Sequence, residues 1–200
     1  MLNELLYQSL ETELGGEKVY EAALKCTINR DAREEWQKYL DETRHHQDVL
    51  MSVFQALGLN PEAESPGRMV VRAKAAGLVK AMEMALAQGP KEGAELCAAE
   101  SIVEAETKDH QNWELIGRVA KDMKGTTEGT ALKAAHDEVE DQEDMHLYHT
   151  MGWARELWIQ ALGMPAVLPP PEEKKKVTSM KAAATAVETR KAPAAPAKKR

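Results

Sequence analysis

Hydrophobic side chains in this chain recur three, four or seven positions apart over long stretches, and they never alternate in the period of two that a half-buried strand requires. From Leu2 to about Cys26 the stripe reads Leu6, Leu10, Glu13, Tyr20 and Leu24, with one acidic residue among the apolar ones. Such spacing restricts the chain to amphipathic helices that bury one face against each other. Aromatics are only 4% of the residues, while Ala, Leu, Glu, Lys and Met abound, which removes the usual material of a sheet. The expected class is all-α.

Breaks divide the pattern. Thr27 to Arg30 reads as a turn, and Asp31 with Glu34 reads as the start of a second helix that runs to about Leu57 and stops at Gly58. Leu59 to Gly67 is loop. Ser65 and Pro66 suit the cap and first residue of a helix ending near Gln88. Gly89-Pro90 then opens a long helix to about Lys124, and Thr127 is the expected cap of a last helix that reaches about Leu162 before Gly163-Met164-Pro165. Two tight helical pairs joined by an extra helix give a four-helix bundle with one long crossover, over residues 1–165. Residues 166–200, rich in Ala, Lys and Pro, are expected to be a disordered basic tail.

Charge is distributed unevenly. Residues 171–200 hold nine Lys or Arg against three Glu, so of an overall −7 the first 170 residues carry −13. An acidic body repels nucleic acid and suits cations, whereas the tail can meet polyanions. No aromatic interleaves its lysines, so weak, non-specific phosphate contact is all that a nucleic acid is expected to receive there. A solubilising linker is the first expectation. Cys26 and Cys97 have no pairing pattern, and no apolar run approaches the ~20 residues that span a bilayer, so a soluble, cytoplasmic protein without membrane contact is expected.

Two Glu-x-x-His motifs, Glu42-Thr43-Arg44-His45 and Glu143-Asp144-Met145-His146, can each aim a carboxylate and an imidazole at one point. Chance supplies nearly one such motif in a chain this rich in Glu, so their placement matters more than their number. Each lies on the second helix of a pair whose first helix carries a Glu on its apolar stripe, Glu13 or Glu106. Glu13 lies seven before Tyr20, and Glu106 seven before Trp113, and the arms to the connecting turns are matched within each pair. Alternatives stay open at two points: His46 for His45, and Glu100 or Glu104 for Glu106. His110 and His149 are either supporting donors or merely polar.

One Glu from each of two helices and Glu-x-x-His from each of the others resembles the ligand set of ferritin-like di-iron carboxylate proteins, a superfamily that includes bacterioferritins and rubrerythrins. The resemblance covers roughly residues 2 to 162. It implies that Glu13, Glu42, His45, Glu106, Glu143 and His146 hold two iron ions, with Glu42 and Glu143 bridging. Glu13-Leu14-Gly15-Gly16-Glu17-Lys18-Val19-Tyr20 is similar to the first helix of bacterioferritin, which implies a place for Tyr20 beside the metals. Implied too are Fe(II) reacting with oxygen or peroxide, a ferroxidase- or peroxidase-type role in iron handling or oxidative stress, and a homo-oligomer. Manganese is the alternative metal. The competing expectation is a metal-free helical scaffold whose basic tail tethers DNA or an acidic partner.

Overall fold

A computed structural model describes residues 1–174. Five helices follow one another: α1 (Leu2–Cys26), α2 (Arg30–Leu57), α3 (Pro66–Gln88), α4 (Lys91–Asp122) and α5 (Thr127–Ala161), with a short 3-10 turn at Pro171–Lys174. No strand occurs among the described residues, and none of the helices there is long and apolar enough to cross a membrane.

Capping chemistry sets the helix ends. The side chain of Asn29 accepts hydrogen bonds from the backbone of Asp31 and Ala32, so α2 begins one residue before the expected Asp31. Thr126 rather than Thr127 caps α5, its hydroxyl accepting from Gly129 N at 2.9 Å. Ser65 caps α3 as expected, with Pro66 as its first residue. Gly58 ends α2 in the left-handed region at φ 65°, which glycine adopts without steric cost.

α1 packs against α2, and α4 packs most extensively against α5; contacts of α1 with α4 and of α2 with α5 close the four into a bundle. α3 lies outside, over the seam between α1 and α4. Buried Glu11 of α1 holds it there by accepting from Arg68 at 2.6 Å and from Arg72 at 2.7 Å. Burial alone would raise the Glu11 pKa, but its bonds to Arg72 and Arg68 pull it below the ordinary carboxylate value. α1 and α3 pack tightly at Gly15, where a Cβ would lie 2.6 Å from that of Ala75.

The core is split in two. One apolar cluster gathers Val19, Trp36, Met82, Ile102 and Trp153, and the other gathers Leu6, Leu50, Trp113, Ile116 and Leu132. A polar layer contributed by all four bundle helices separates them. After α5 the chain turns back along it: Val167 N donates to Glu156 at 2.8 Å, Arg155 forks onto Glu172, and Pro170 is buried beside Gly152. The segment from residue 166 to 174, expected to belong to the tail, thus lies against the bundle, and residues 175–200 of that expected tail lie outside the described residues.

Two glycine substitutions probe the α3 contact. A Cβ on helical Gly77 meets no atom within 4 Å, so Gly77→Ala should gain about 0.5–1 kcal/mol from helix propensity alone. Gly15→Ala must push α3 off α1, at a net cost of about 1–2 kcal/mol, or roughly 2–8 °C in thermal midpoint. Calorimetric scans of the two variants should therefore shift in opposite directions.

Candidate metal centre

The heptad phase of each helix decides which side chains enter the polar layer. On α4 the buried stripe runs Ile102, Glu106, Asp109, Trp113, Ile116 and Ala120, and on α5 it runs Leu132, Val139, Glu143, His146, Thr150 and Trp153. On α2 it runs Trp36, Tyr39, Thr43, His46, Leu50 and Val53, and on α1 Leu6, Leu10, Glu13, Gly16 and Tyr20. Steps of three, four or seven recur in all four stripes, so the helices place their acidic or imidazole residues at one height.

Of the expected residues, Glu13, Glu106, Glu143 and His146 meet in this layer, each essentially inaccessible to solvent. Tyr20 is beside them, its hydroxyl donating to Glu106 Oε1 at 2.8 Å. The other two lie elsewhere. His45 points outward and pairs with exposed Glu138 at 2.8 Å, because position 45 falls off the stripe that passes through 43 and 46. Glu42 stands half-buried at the edge and meets His146 Nε2 at 3.0 Å. His46 and Asp109 take the vacated places in the layer.

The imidazoles are oriented alike. Their rings stack at 5.5 Å, with His46 Nε2 bonded to Gln142 Oε1 at 2.7 Å and His146 Nε2 to Glu42 Oε2. When each Nε2–H donates outward, each Nδ1 is left facing the carboxylates with its lone pair available. His46 Nδ1 lies 2.9 Å from Glu143 Oε1 and 3.6 Å from Glu13 Oε1, though not aligned for a hydrogen bond with either. His146 Nδ1 lies 3.7 Å from both Glu106 Oε2 and Glu143 Oε1. Trp113 Nε1 fixes Glu13 by donating to its Oε1 at 2.9 Å.

Buried oxygens without hydrogen-bond partners accumulate here: Glu13 Oε2, Glu106 Oε2, Asp109 Oδ1 and Glu143 Oε2. Unsatisfied buried acceptors are rare and costly, and a cation is what four of them in one layer would satisfy. Two sets of donor atoms, His46 with Glu143 and His146, and Glu13 with Asp109 and Glu143, each fall within 4.8 Å of one another. Glu143 belongs to both, which is the placement a carboxylate shared between two cations needs.

A further polar group backs His146. The Tyr39 ring lies 4.3 Å from the His146 ring, and its hydroxyl meets His149 Nδ1 at 2.9 Å and bonds to Glu35. Glu35 also accepts from Trp153 Nε1 at 2.5 Å and bonds to His149 Nδ1 at 2.8 Å. Burial would raise the Glu35 pKa, but bonds to His149, Tyr39 and Trp153 outweigh it and hold the group down to about 2. His110 is paired instead with buried Asp144 at 2.8 Å.

Protons also neutralise this layer. Burial alone would depress His46, yet Glu13 and Glu143 push it up to about 11. Burial raises Glu143 to about 7, with Glu106 and Glu13 adding to the shift and His46 opposing it. Asp109 is raised well above its ordinary value by burial and by Glu13, Glu143 and Glu106. Stability from His46 is complete below its ordinary 6.5 and is lost as pH climbs toward 11, and that from Glu143 is lost between 4.5 and about 7. Between pH 5 and 9 the metal-free protein should therefore lose up to ~1.4 kcal/mol per pH unit for each proton released, measurable by urea denaturation. Divalent metal uptake should release protons and tighten with rising pH over the same interval, and a buffer-ionisation series in calorimetry would count them.

Comparison with protein-family profiles, with curated proteins and with solved structures finds no match.

Proposed function

We propose that the polar layer binds two divalent metal ions, iron foremost, and that the protein is a ferritin-like di-iron carboxylate bundle that reacts Fe(II) with oxygen or peroxide. One observation carries this reading: four carboxyl groups and two inward-facing Nδ1 atoms converge in a dry layer with their free lone pairs toward one another. Four carboxylates balance the charge of two divalent ions when both imidazoles are neutral, so metal occupancy leaves no net buried charge. A mixed oxygen and nitrogen set of this kind suits iron, and it suits manganese next.

His46, His146 and Glu143, with Glu106 alongside, would hold one ion, while Glu13, Asp109 and Glu143 would hold the other. Relative to the expected set, Asp109 and His46 replace Glu42 and His45. Thr43 stands on α2 where Glu143 stands on α5, three residues before the imidazole. Bound iron would supply the electrons that reduce oxygen or peroxide. The chain's own groups do the remaining work. Glu42 and Gln142 lock the imidazole tautomers, and Trp113 aims Glu13. Tyr20, whose pKa burial and Glu106 raise well above its ordinary value, keeps a proton on the oxygen that contacts Glu106. Iron handling or protection against oxidative stress is the role this chemistry serves.

Anaerobic titration of the metal-free protein with Fe(II) should reach two equivalents per chain. Glu143→Ala should bind at most one, His46→Ala should weaken binding by at least tenfold, and His45→Ala should leave it unchanged. Glu42→Ala should keep the stoichiometry and lower affinity about 10- to 100-fold, the usual effect of removing an outer partner of a metal-bound imidazole. Uptake below one equivalent would instead favour the metal-free scaffold, in which protons on His46, Glu143 and Asp109 rather than cations neutralise the layer. Peroxide turnover compared between iron- and manganese-loaded protein separates those two metals.

A further inference from the structure

α3 does not cover the α1–α4 seam completely. Between the three helices lies a cavity of about 600 Å³, within the range of small-molecule sites. Val19, Val71, Leu78 and Val103 give it an apolar lining, and Gly15 and Gly16 let its floor sink close to the α1 backbone. From Thr12 to Val19 the α1 side of the groove spans about 10 Å at the helical rise, the length of an extended chain of eight to ten carbons.

The polar groups of this groove are of one predominant sign. Lys74 of α3 and Lys108 of α4 both line it against a single acidic lining residue, Glu104; Lys74 and Glu104 are solvent-exposed. Lys108 is half-buried and bonds to Asn112, which in turn donates to Thr12 Oγ1 at 3.0 Å, so this ammonium is tied down across the seam. Two like charges facing an apolar groove in an otherwise acidic body call for an anionic group between them. Residues 175–200 are predominantly basic, so their charge does not complement these lysines.

Thr12, Ala105 and Lys108, which form part of the groove, are the chain neighbours of Glu13, Glu106 and Asp109. Groove and polar layer are thus opposite sides of one helix seam. We propose that this groove binds an amphipathic organic anion, with its acid group between Lys74 and Lys108 and its apolar body along α1, as the substrate of the buried centre. The role as substrate rests on the proposed function, whereas the binding does not.

Decanoate is a suitable probe. Calorimetric titration of the metal-free protein should show one decanoate bound per chain and no binding of decyltrimethylammonium, which has the same length and the opposite charge. Lys74→Gln should weaken decanoate about threefold or more, Lys74→Gln with Lys108→Gln at least tenfold, and Val103→Trp, which fills the groove, should abolish it while circular dichroism stays unchanged. No decanoate binding, equal binding of the cation, or full affinity in the double lysine variant overturns the site. In protein loaded with Co(II), decanoate should shift the visible bands of the wild type and leave those of Val103→Trp unchanged; unshifted wild-type bands overturn the role as substrate. Two metals bound without decanoate would defeat the groove alone, and decanoate bound without metal uptake would defeat the metal reading and the substrate role but leave the binding site intact.

Discussion

Four carboxyl groups on three helices share one core layer with two imidazoles, and every other feature of the bundle accommodates that burial of charge. An uncompensated carboxylate in such a place costs several kcal/mol, so the layer is stable only when cations or protons neutralise it. In the metal-free chain His46, Glu143 and Asp109 take up protons to that end. Apolar clusters above and below exclude water and keep the alternatives to these two neutralisations few. A metal ion bound there would compete with protons for one set of lone pairs, so its affinity would depend on pH.

Much of the architecture was legible because helix-forming composition and Gly or Pro breaks act locally. α1 could be bounded from sequence at both ends, as could the end of α2 at Gly58 and the cap of α3 at Ser65. Asn29 and Thr126 were missed as caps because Asp31 and Thr127, two and one positions later, have the same chemistry, and only the backbone conformation decides between them. The site required finer phase. A Glu-x-x-His motif identifies a face to within one residue, and a shift of one residue on a helix is a rotation of 100°. The apolar neighbours held the missing signal: Trp36, Tyr39, Leu50 and Val53 point to 43 and 46, just as Ile102, Trp113 and Ile116 point to 106 and 109. Phase read from large buried side chains selects His46 and Asp109, whereas motif spacing selects His45 and bypasses Asp109.

α3 has a double part in this arrangement. By sequence it is only a segment that must cross from one helical pair to the other. In the fold it is also a wall, fastened at one end where Glu11 gathers Arg68 and Arg72, and pressed on α1 at Gly15. Beyond that contact it stands far enough off α4 to leave the groove with its two lysines. A shorter connection would have left the α1–α4 seam open to water.

The surroundings of the polar layer differ from side to side. Toward α1 and α4 it is bounded by one helix seam with a cationic, apolar-lined groove beyond. Behind His146 it continues through the Tyr39 ring to Glu35, His149 and Trp153, and the returning segment brings Glu173 near Glu35. Burial and the charge of Glu35 push Glu173 up to about 8, so of these two carboxyl groups Glu173 is the one that holds a proton. A chain of hydrogen-bonding and ionisable groups suits the movement of protons and does not suit an apolar molecule, whereas the groove has the opposite character. Organic ligand and protons are thereby given separate approaches to one buried centre, a division that four symmetric helices would not supply and that the crossover helix and the returning segment impose.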